Sequence, residues 1–213
     1  MKKYYYFKCI TDFLFALLGL LIIWPLLLFI ALLIKLESEG SAIFRQERLG
    51  QKGKVFKIYK FRTMVDGAIN QGSGLQTYEG DSRITRIGKI LRKTSLDELP
   101  QLFNILKGEM SFIGPRPPVP YYPYQYEEYS YEQKKRFVVR PGISGYAQVV
   151  LRNWGTWEER IVLDVDYVKR MGMGFDLYLF FKTIFVILKG NGVYALSKKT
   201  KKMMQTKEKS IKG

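Results

Sequence analysis

The hydrophobic pattern opens with one long run. From residue 13 to residue 34 no charged side chain appears and nearly every position is apolar. As a helix rising about 1.5 Å per residue, that run is long enough to cross a hydrocarbon core. Trp24-Pro25 falls near its middle, where a proline removes a helical hydrogen bond and bends the axis. Basic side chains flank it on both sides: Lys2, Lys3 and Lys8 before, and Lys35, Arg45, Arg48, Lys52 and Lys54 after. A spanning helix normally carries its basic excess on one side only. The pattern therefore favours a re-entrant helix–break–helix hairpin that dips into the membrane and returns, leaving both flanks on the cytoplasmic face.

Beyond residue 42 the runs shorten. Residues 55–61 (VFKIYKF) alternate like a strand, and the glycine-rich stretch 66–81 reads as a mobile loop. Residues 83–93 (RITRIGKILRK) put Ile84, Ile87, Ile90 and Leu91 on one helical face and Arg83, Arg86, Lys89, Arg92 and Lys93 on the rest. Such a helix suits either a core surface or an anionic lipid layer. Residues 94–108 (TSLDELPQLFNILKG) predict a helix that starts at 96–98, because Pro100 fits only in a first turn. Ser95 is its expected cap, with Glu98 completing a capping box. Leu99, Leu102, Phe103 and Leu106 form its apolar face, and Gly108 ends it.

Further on, a short helix is expected to end near Val139, and residues 147–149 read as extended. Residues 157–170 form an amphipathic helix carrying Asp164, Asp166 and Tyr167. Residues 175–188 are apolar almost all round but too short to span, so they suit a core or an interfacial helix. The lysine-rich stretch after Tyr194 reads as disordered. The fold class expected is α+β, mostly helical: a membrane hairpin over 1–41, one compact membrane-associated catalytic domain over 42–194 with amphipathic interfacial helices, and a basic tail over 195–213.

Composition narrows the chemistry. The 213 residues hold 35 Lys and Arg against 19 Asp and Glu, a formal charge of +16, so polyanions are the expected partners: phosphorylated substrates and anionic membrane lipids above all. The charge is spread over many segments with no nucleic-acid-binding signature, and no nucleic-acid partner is expected. There is no histidine and only one cysteine, Cys9. Histidine-dependent nucleophiles, histidine metal sites and cysteine zinc clusters are thereby excluded. Neither a P-loop nor a G-x-G-x-x-G pattern occurs. Carboxylates and arginines remain. Asp97 and Glu98 are adjacent in a first helical turn, where the helix dipole favours an ionised carboxylate and attracts phosphate. Arg92 lies five residues earlier. Gly114-Pro115-Arg116-Pro117 and Arg140-Pro141-Gly142 each fix a guanidinium beside a stiff turn, as bidentate phosphate binding requires.

In order, the motifs are KFRTM, LDELPQLFNILKGEMSFIGPRP, RPGISGYAQ, RNWGTWEER and DVDY, behind an apolar leader. This succession resembles the monotopic phosphoglycosyl transferases, bacterial sugar transferases acting on a polyprenol carrier, in their minimal form. The likeness runs from Tyr4 to Tyr194. It departs at Leu151, where the family often has glycine, and at Trp24, where it often has serine before the proline.

The resemblance implies transfer of a phosphosugar from a UDP-sugar to polyprenol (undecaprenyl) phosphate, with release of UMP and help from Mg2+. It places the enzyme on the cytoplasmic face of the bacterial inner membrane, at the first membrane step of glycan assembly. It assigns the catalytic pair to Asp97 and Glu98, Asp97 forming a covalent phosphoaspartyl intermediate and both residues serving the metal. Substrate binding falls on Lys60, Arg92, Arg116, Arg140, Arg152 and Asp164. The alternatives are a non-catalytic membrane scaffold, a basic nucleic-acid binder, and direct transfer with Asp97 as a base.

Overall fold

The computed structural model describes residues 2–189 apart from 72, 73, 75, 76, 79 and 153. The expected disordered tail over 195–213 and Asn153 of the RNW motif lie outside the described residues.

A mostly helical α+β architecture is observed. Helix α1 (Lys2–Glu37) precedes the antiparallel hairpin β1 (Ile43–Leu49) and β2 (Val55–Phe61), in a register that pairs Phe44 with Lys60 and Leu49 with Val55. Then come α2 (Arg86–Thr94), a 3-10 segment (Leu96–Gln101), α3 (Leu102–Leu106) and β3 (Ser111–Ile113). The last part holds α4 (Tyr131–Lys134), β4 (Gly142–Ser144), α5 (Tyr146–Leu151), α6 (Trp157–Arg170) and α7 (Met173–Leu188). Strands β3 and β4 pair in parallel, Ser111 with Gly142 and Ile113 with Ser144. Their close approach needs glycine: a Cβ on Gly142 would lie 2.1 Å from the Gly114 nitrogen, and one on Gly145 would lie 2.0 Å from the Gly114 oxygen. The Arg116 turn thereby leaves β3 beside the point where the Arg140 turn enters β4.

Helix α1 is helical throughout, with Pro25 inside it rather than at a break between two helices. A proline takes away one N–H and frees one carbonyl, which leaves the turns on either side intact. Only 17% of its most apolar 18-residue stretch is buried. Its inner face nevertheless meets the rest of the chain from end to end. Tyr4 and Tyr5 pack with Ile113, Tyr167 and Leu179; Ala16 and Leu20 with Phe56, Leu102 and Ile105; Ile30 and Ile34 with Phe61 and Leu91.

Polar locks fix both ends of α1. Near its start, Lys8 sits 2.9 Å from Asp176 and 3.6 Å from Asp12. Tyr4 and Tyr167 donate to Asp176 at 2.7 and 2.9 Å, and Ser111 donates to Asp12 at 2.6 Å. All three charged side chains of this network are buried. Lys8 thus belongs to the interior and not to a lipid headgroup flank, and Asp176 ties α7 to α1 where an interfacial position was open. At the far end, Arg62 donates to the carbonyls of Ser38 (2.7 Å) and Glu39. The Glu37 carboxylate accepts from the N–H of Arg86 (2.7 Å) and Ile87, the first N–H groups of α2.

Several expectations are corrected. The helix predicted over 83–93 begins only at Arg86, capped by Thr85, and Ile90 is exposed on it. Arg83 is buried ahead of it, gripping Asp81 (2.7 Å) and the carbonyls of Ala68, Gln71 and Gly74. The described part of the stretch expected as a mobile loop is therefore anchored. Ser95 has φ 59° and makes no side-chain cap, so the capping box with Glu98 does not form. The 3-10 segment also turns the phase of α3, burying Gln101, Asn104 and Ile105 while Phe103 faces outward. Residues 147–149 are helical, within α5, and not extended. The expected helix over 157–170 stands as predicted.

Candidate active site

The Asp97–Glu98 pair sits on the 3-10 segment between α2 and α3. Asn104, on α3 directly after that segment, bonds to β2. Its side-chain oxygen accepts from the Tyr59 N–H at 3.0 Å, and its amide donates to the Lys57 carbonyl at 2.8 Å and to Glu109 at 2.7 Å. Lys60 follows Tyr59, and its ammonium forms a close ion pair with Glu98. The two acids are thereby made unequal. Burial lifts Glu98, but Lys60, Arg116 and Arg48 outweigh it and hold the carboxyl below its ordinary value. Burial pushes Asp97 up to about 6; Glu98 beside it adds to the rise, and Lys60 and Arg92 oppose it. Six residues of 3-10 segment carry little dipole, so desolvation and neighbouring charges set these acids, not the helix terminus expected from the sequence.

Arg92 reaches the pair from the last turn of α2, its Nε donating to Thr63 Oγ1 at 2.8 Å. Gly88 lets α2 come this near: a Cβ there would lie 2.1 Å from the Thr63 carbonyl oxygen. Arg116 is carried by the turn after β3, and Arg136 donates to its carbonyl at 2.7 Å. Lys60, Arg92 and Arg116 are thus brought together around the pair.

The other expected residues stand elsewhere. Asp164 is fully buried and bonded to Arg136 at 2.5 Å. Burial raises it to about 6 against the pull of Arg136. It reaches the site through Arg136, which holds the Arg116 main chain, and through its attraction for Arg160. Arg140 packs on Gly108 and lines a small cavity with Tyr5, Lys8 and Asp12, beside the α1 lock. Arg152, with φ 50°, donates to the Val186 carbonyl at 2.8 Å at the end of α7, and burial lowers its pKa.

Sequence reading missed Arg48 and Arg160. Arg48 on β1 donates to the Pro117 carbonyl at 3.0 Å, next to Arg116. Arg160 on α6 is 7% exposed and donates to the Arg152 carbonyl at 2.5 Å. Burial, and then Arg116, pushes both down to about 10, so both remain cationic at neutral pH. Arg48 looked like one more flanking charge, while Arg160 was hidden in an amphipathic pattern. Asn104, the one amide in the run LFNIL, was the available signal for the anchor.

Among the described residues, no three acidic, cysteine or histidine side chains gather into a metal-ligating group. What the arrangement offers is one raised carboxylate, one carboxylate paired to a lysine, and a surrounding shell of arginines. That chemistry suits phosphate groups and a carboxylate nucleophile.

Comparison with known proteins agrees with this setting. The chain is 42% identical to UDP-N-acetylgalactosamine-undecaprenyl-phosphate N-acetylgalactosaminephosphotransferase of Aeromonas hydrophila, over 89% of its own length and 45% of that protein. It is 41% identical to galactosyl transferase CpsE of Streptococcus agalactiae, over 90% and 45%. It is 40% identical to UDP-glucose:undecaprenyl-phosphate glucose-1-phosphate transferase of Caulobacter vibrioides, over 88% and 72%. The chain spans less than half the length of the first two of these relatives. The sequence model described as bacterial sugar transferase matches residues 3–190, and the chain therefore belongs to the bacterial sugar transferase family.

Proposed function

We propose that the protein transfers a sugar 1-phosphate from a UDP-sugar to undecaprenyl phosphate at the cytoplasmic face of the membrane, releasing UMP. The observation that carries this reading is the unequal acid pair within its arginine shell. The relatives named above, which differ in sugar but share the carrier in two of three names, point to the same reaction class.

Asp97 is the nucleophile. Its oxygen attacks the sugar-bearing phosphorus, and the bond to the UMP phosphate breaks with its electron pair leaving on UMP. An oxygen of the acceptor phosphate then attacks the same phosphorus, expels the Asp97 carboxylate and completes the lipid diphosphosugar. With a pKa of about 6, Asp97 is mostly ionised at pH 7 yet poorly solvated, which makes it a stronger nucleophile than a surface aspartate. Two steps through one carboxylate also avoid bringing two anionic substrates together directly. Lys60 keeps Glu98 ionised, and Arg92 and Arg116 hold donor phosphate oxygens whose charge grows during transfer.

Mg2+ suits the donor set, since this hard cation commonly takes one or two carboxylates and completes its shell with water and substrate phosphate. Asp97 and Glu98 would hold it, where it would neutralise phosphoryl charge. Seating of α1 in one leaflet, in place of a full span, is supported by its contacts with the rest of the chain at both ends and between them, which hold the whole helix against the domain. The exposed apolar faces of α1 and α7, including Leu21, Ile22, Phe29, Phe181 and Leu188, then meet lipid.

The test is UMP release by the membrane-bound protein with undecaprenyl phosphate, Mg2+ and a panel of UDP-sugars, beside Asp97→Asn. Release with one donor, lost in the variant together with a trappable phosphosugar adduct, is the expected result. Silence across the panel from folded protein would overturn the reading in favour of a scaffold. Turnover without any adduct would make Asp97 a base.

A further inference from the structure

The arginines of the site are not distributed evenly. Arg48, Arg116 and Arg160 come from β1, the turn after β3, and α6, and three links draw them to the same place. Arg48 is bonded to Pro117, the residue after Arg116. Arg136 joins the Arg116 carbonyl to Asp164, and Asp164 lies one helical turn beyond Arg160 on α6. Arg160 in turn holds the Arg152 carbonyl, which closes the group on the α5 side.

None of the three guanidiniums has a carboxylate within 4.0 Å among the described residues: Glu98 is taken by Lys60, and Asp164 by Arg136. The Nε of Arg48 is buried with no hydrogen-bond partner, and so is the amide nitrogen of Gln148 on α5. Gln148 stands beside Gly145, which packs on Gly114 at the foot of the Arg116 turn. Gathering three partly or fully buried like charges is unfavourable unless an anion occupies the space between them. Unfilled donors at the same place point the same way.

We propose that Arg48, Arg116 and Arg160 form a separate anion pole that holds the phosphate leaving with the nucleoside, while Lys60 and Arg92 serve the phosphoryl group under attack. The assignment follows the order of charges along the site. Lys60 and Arg92 act on Asp97, Lys60 is shared with Glu98, Arg116 and Arg48 act on Glu98, and Arg160 stands next to Arg116. Arg92 belongs to α2, which packs on the far end of α1 through Leu91, Ile30 and Ile34. The Arg92 end of the site thus lies towards α2 and the arginine pole towards α6. This polarity rests on the reaction proposed above and adds two donor-binding residues to it, Arg48 and Arg160.

The experiment compares wild type with Arg48→Gln, Arg160→Gln and their lysine counterparts. Donor KM, acceptor KM and the inhibition constant of UMP are measured, and thermal stabilisation of the wild type by UMP is set against that by uridine. Loss of a charge-assisted contact predicts a rise of about tenfold or more in donor KM and in the UMP constant, partly restored by lysine, with acceptor KM within about twofold of wild type. UMP, and not uridine, should stabilise the wild type. Unchanged UMP inhibition in folded variants, a rise confined to acceptor KM, or equal stabilisation by uridine would overturn the assignment. A wild type that turns over no UDP-sugar would instead strike at the reaction itself, and the UMP-against-uridine comparison would still judge the anion pole.

Discussion

Lys60 is the residue whose removal reports most directly on how Asp97 is tuned. Lys60→Met keeps most of the side-chain volume and deletes the charge. In the native site the ammonium touches Glu98, with the two side chains 19% and 24% exposed, and it opposes the upward shift of Asp97. Losing an opposite charge near a carboxylate moves its pKa by roughly 1–3 units, and partial solvent screening argues for the low end, about one unit. Asp97 would then titrate near 7 where it titrates at about 6 in the native protein. At pH 6 the ionised fraction would drop from about one half to about one tenth, whereas at pH 8.5 both forms would be almost fully ionised. The variant's deficit should therefore shrink about fivefold between those pH values. The deficit remaining at pH 8.5 measures the loss of Lys60 from phosphate binding. The assay is single-turnover UMP release without acceptor, because a phosphomonoester acceptor titrates near pH 6 itself. Parallel wild-type and variant profiles would refute the coupling. A wild-type profile flat through pH 6 would refute the ionisation of Asp97 as the controlling event.

Packing and burial lead to two further outcomes. Gly88→Ala places a Cβ 2.1 Å from the Thr63 carbonyl, so α2 must shift and take Arg92 off its bond to Thr63; turnover should fall about tenfold or more while the protein still folds, and unchanged activity would remove Arg92 placement as a requirement. Lys8→Met leaves Asp12 and Asp176 buried without their cation. A loss of about 3 kcal/mol in detergent denaturation is expected, largely recovered by adding Asp176→Asn, and a neutral single variant would show that the lock contributes nothing.

The sequence by itself determined the elements whose local chemistry is self-sufficient. The apolar run, the alternating 55–61 strand and the amphipathic helix over 157–170 each carry their periodicity in consecutive residues. The Asp97–Glu98 pair was legible for the same reason, since adjacency needs no tertiary partner, and the proline-framed Arg116 was legible because a stiff turn is a local property. Tertiary structure decided what depends on distant partners. Ser95 is drawn into a left-handed turn because α2 must end where the 3-10 segment begins, so a plausible capping box gives way to the Lys60–Glu98 pair. Asp164, spaced like a site residue, is spent on Arg136 because both are sealed under the Arg116 turn. Lys8 and Asp176 stand 168 positions apart in the chain, and only the docking of α1 on α7 joins them. The unequal acidity of Asp97 and Glu98 belongs to this second class. Two neighbouring carboxyls are alike in sequence, and burial and opposing charge make them different only once β2, α2 and the Arg116 turn have closed around them.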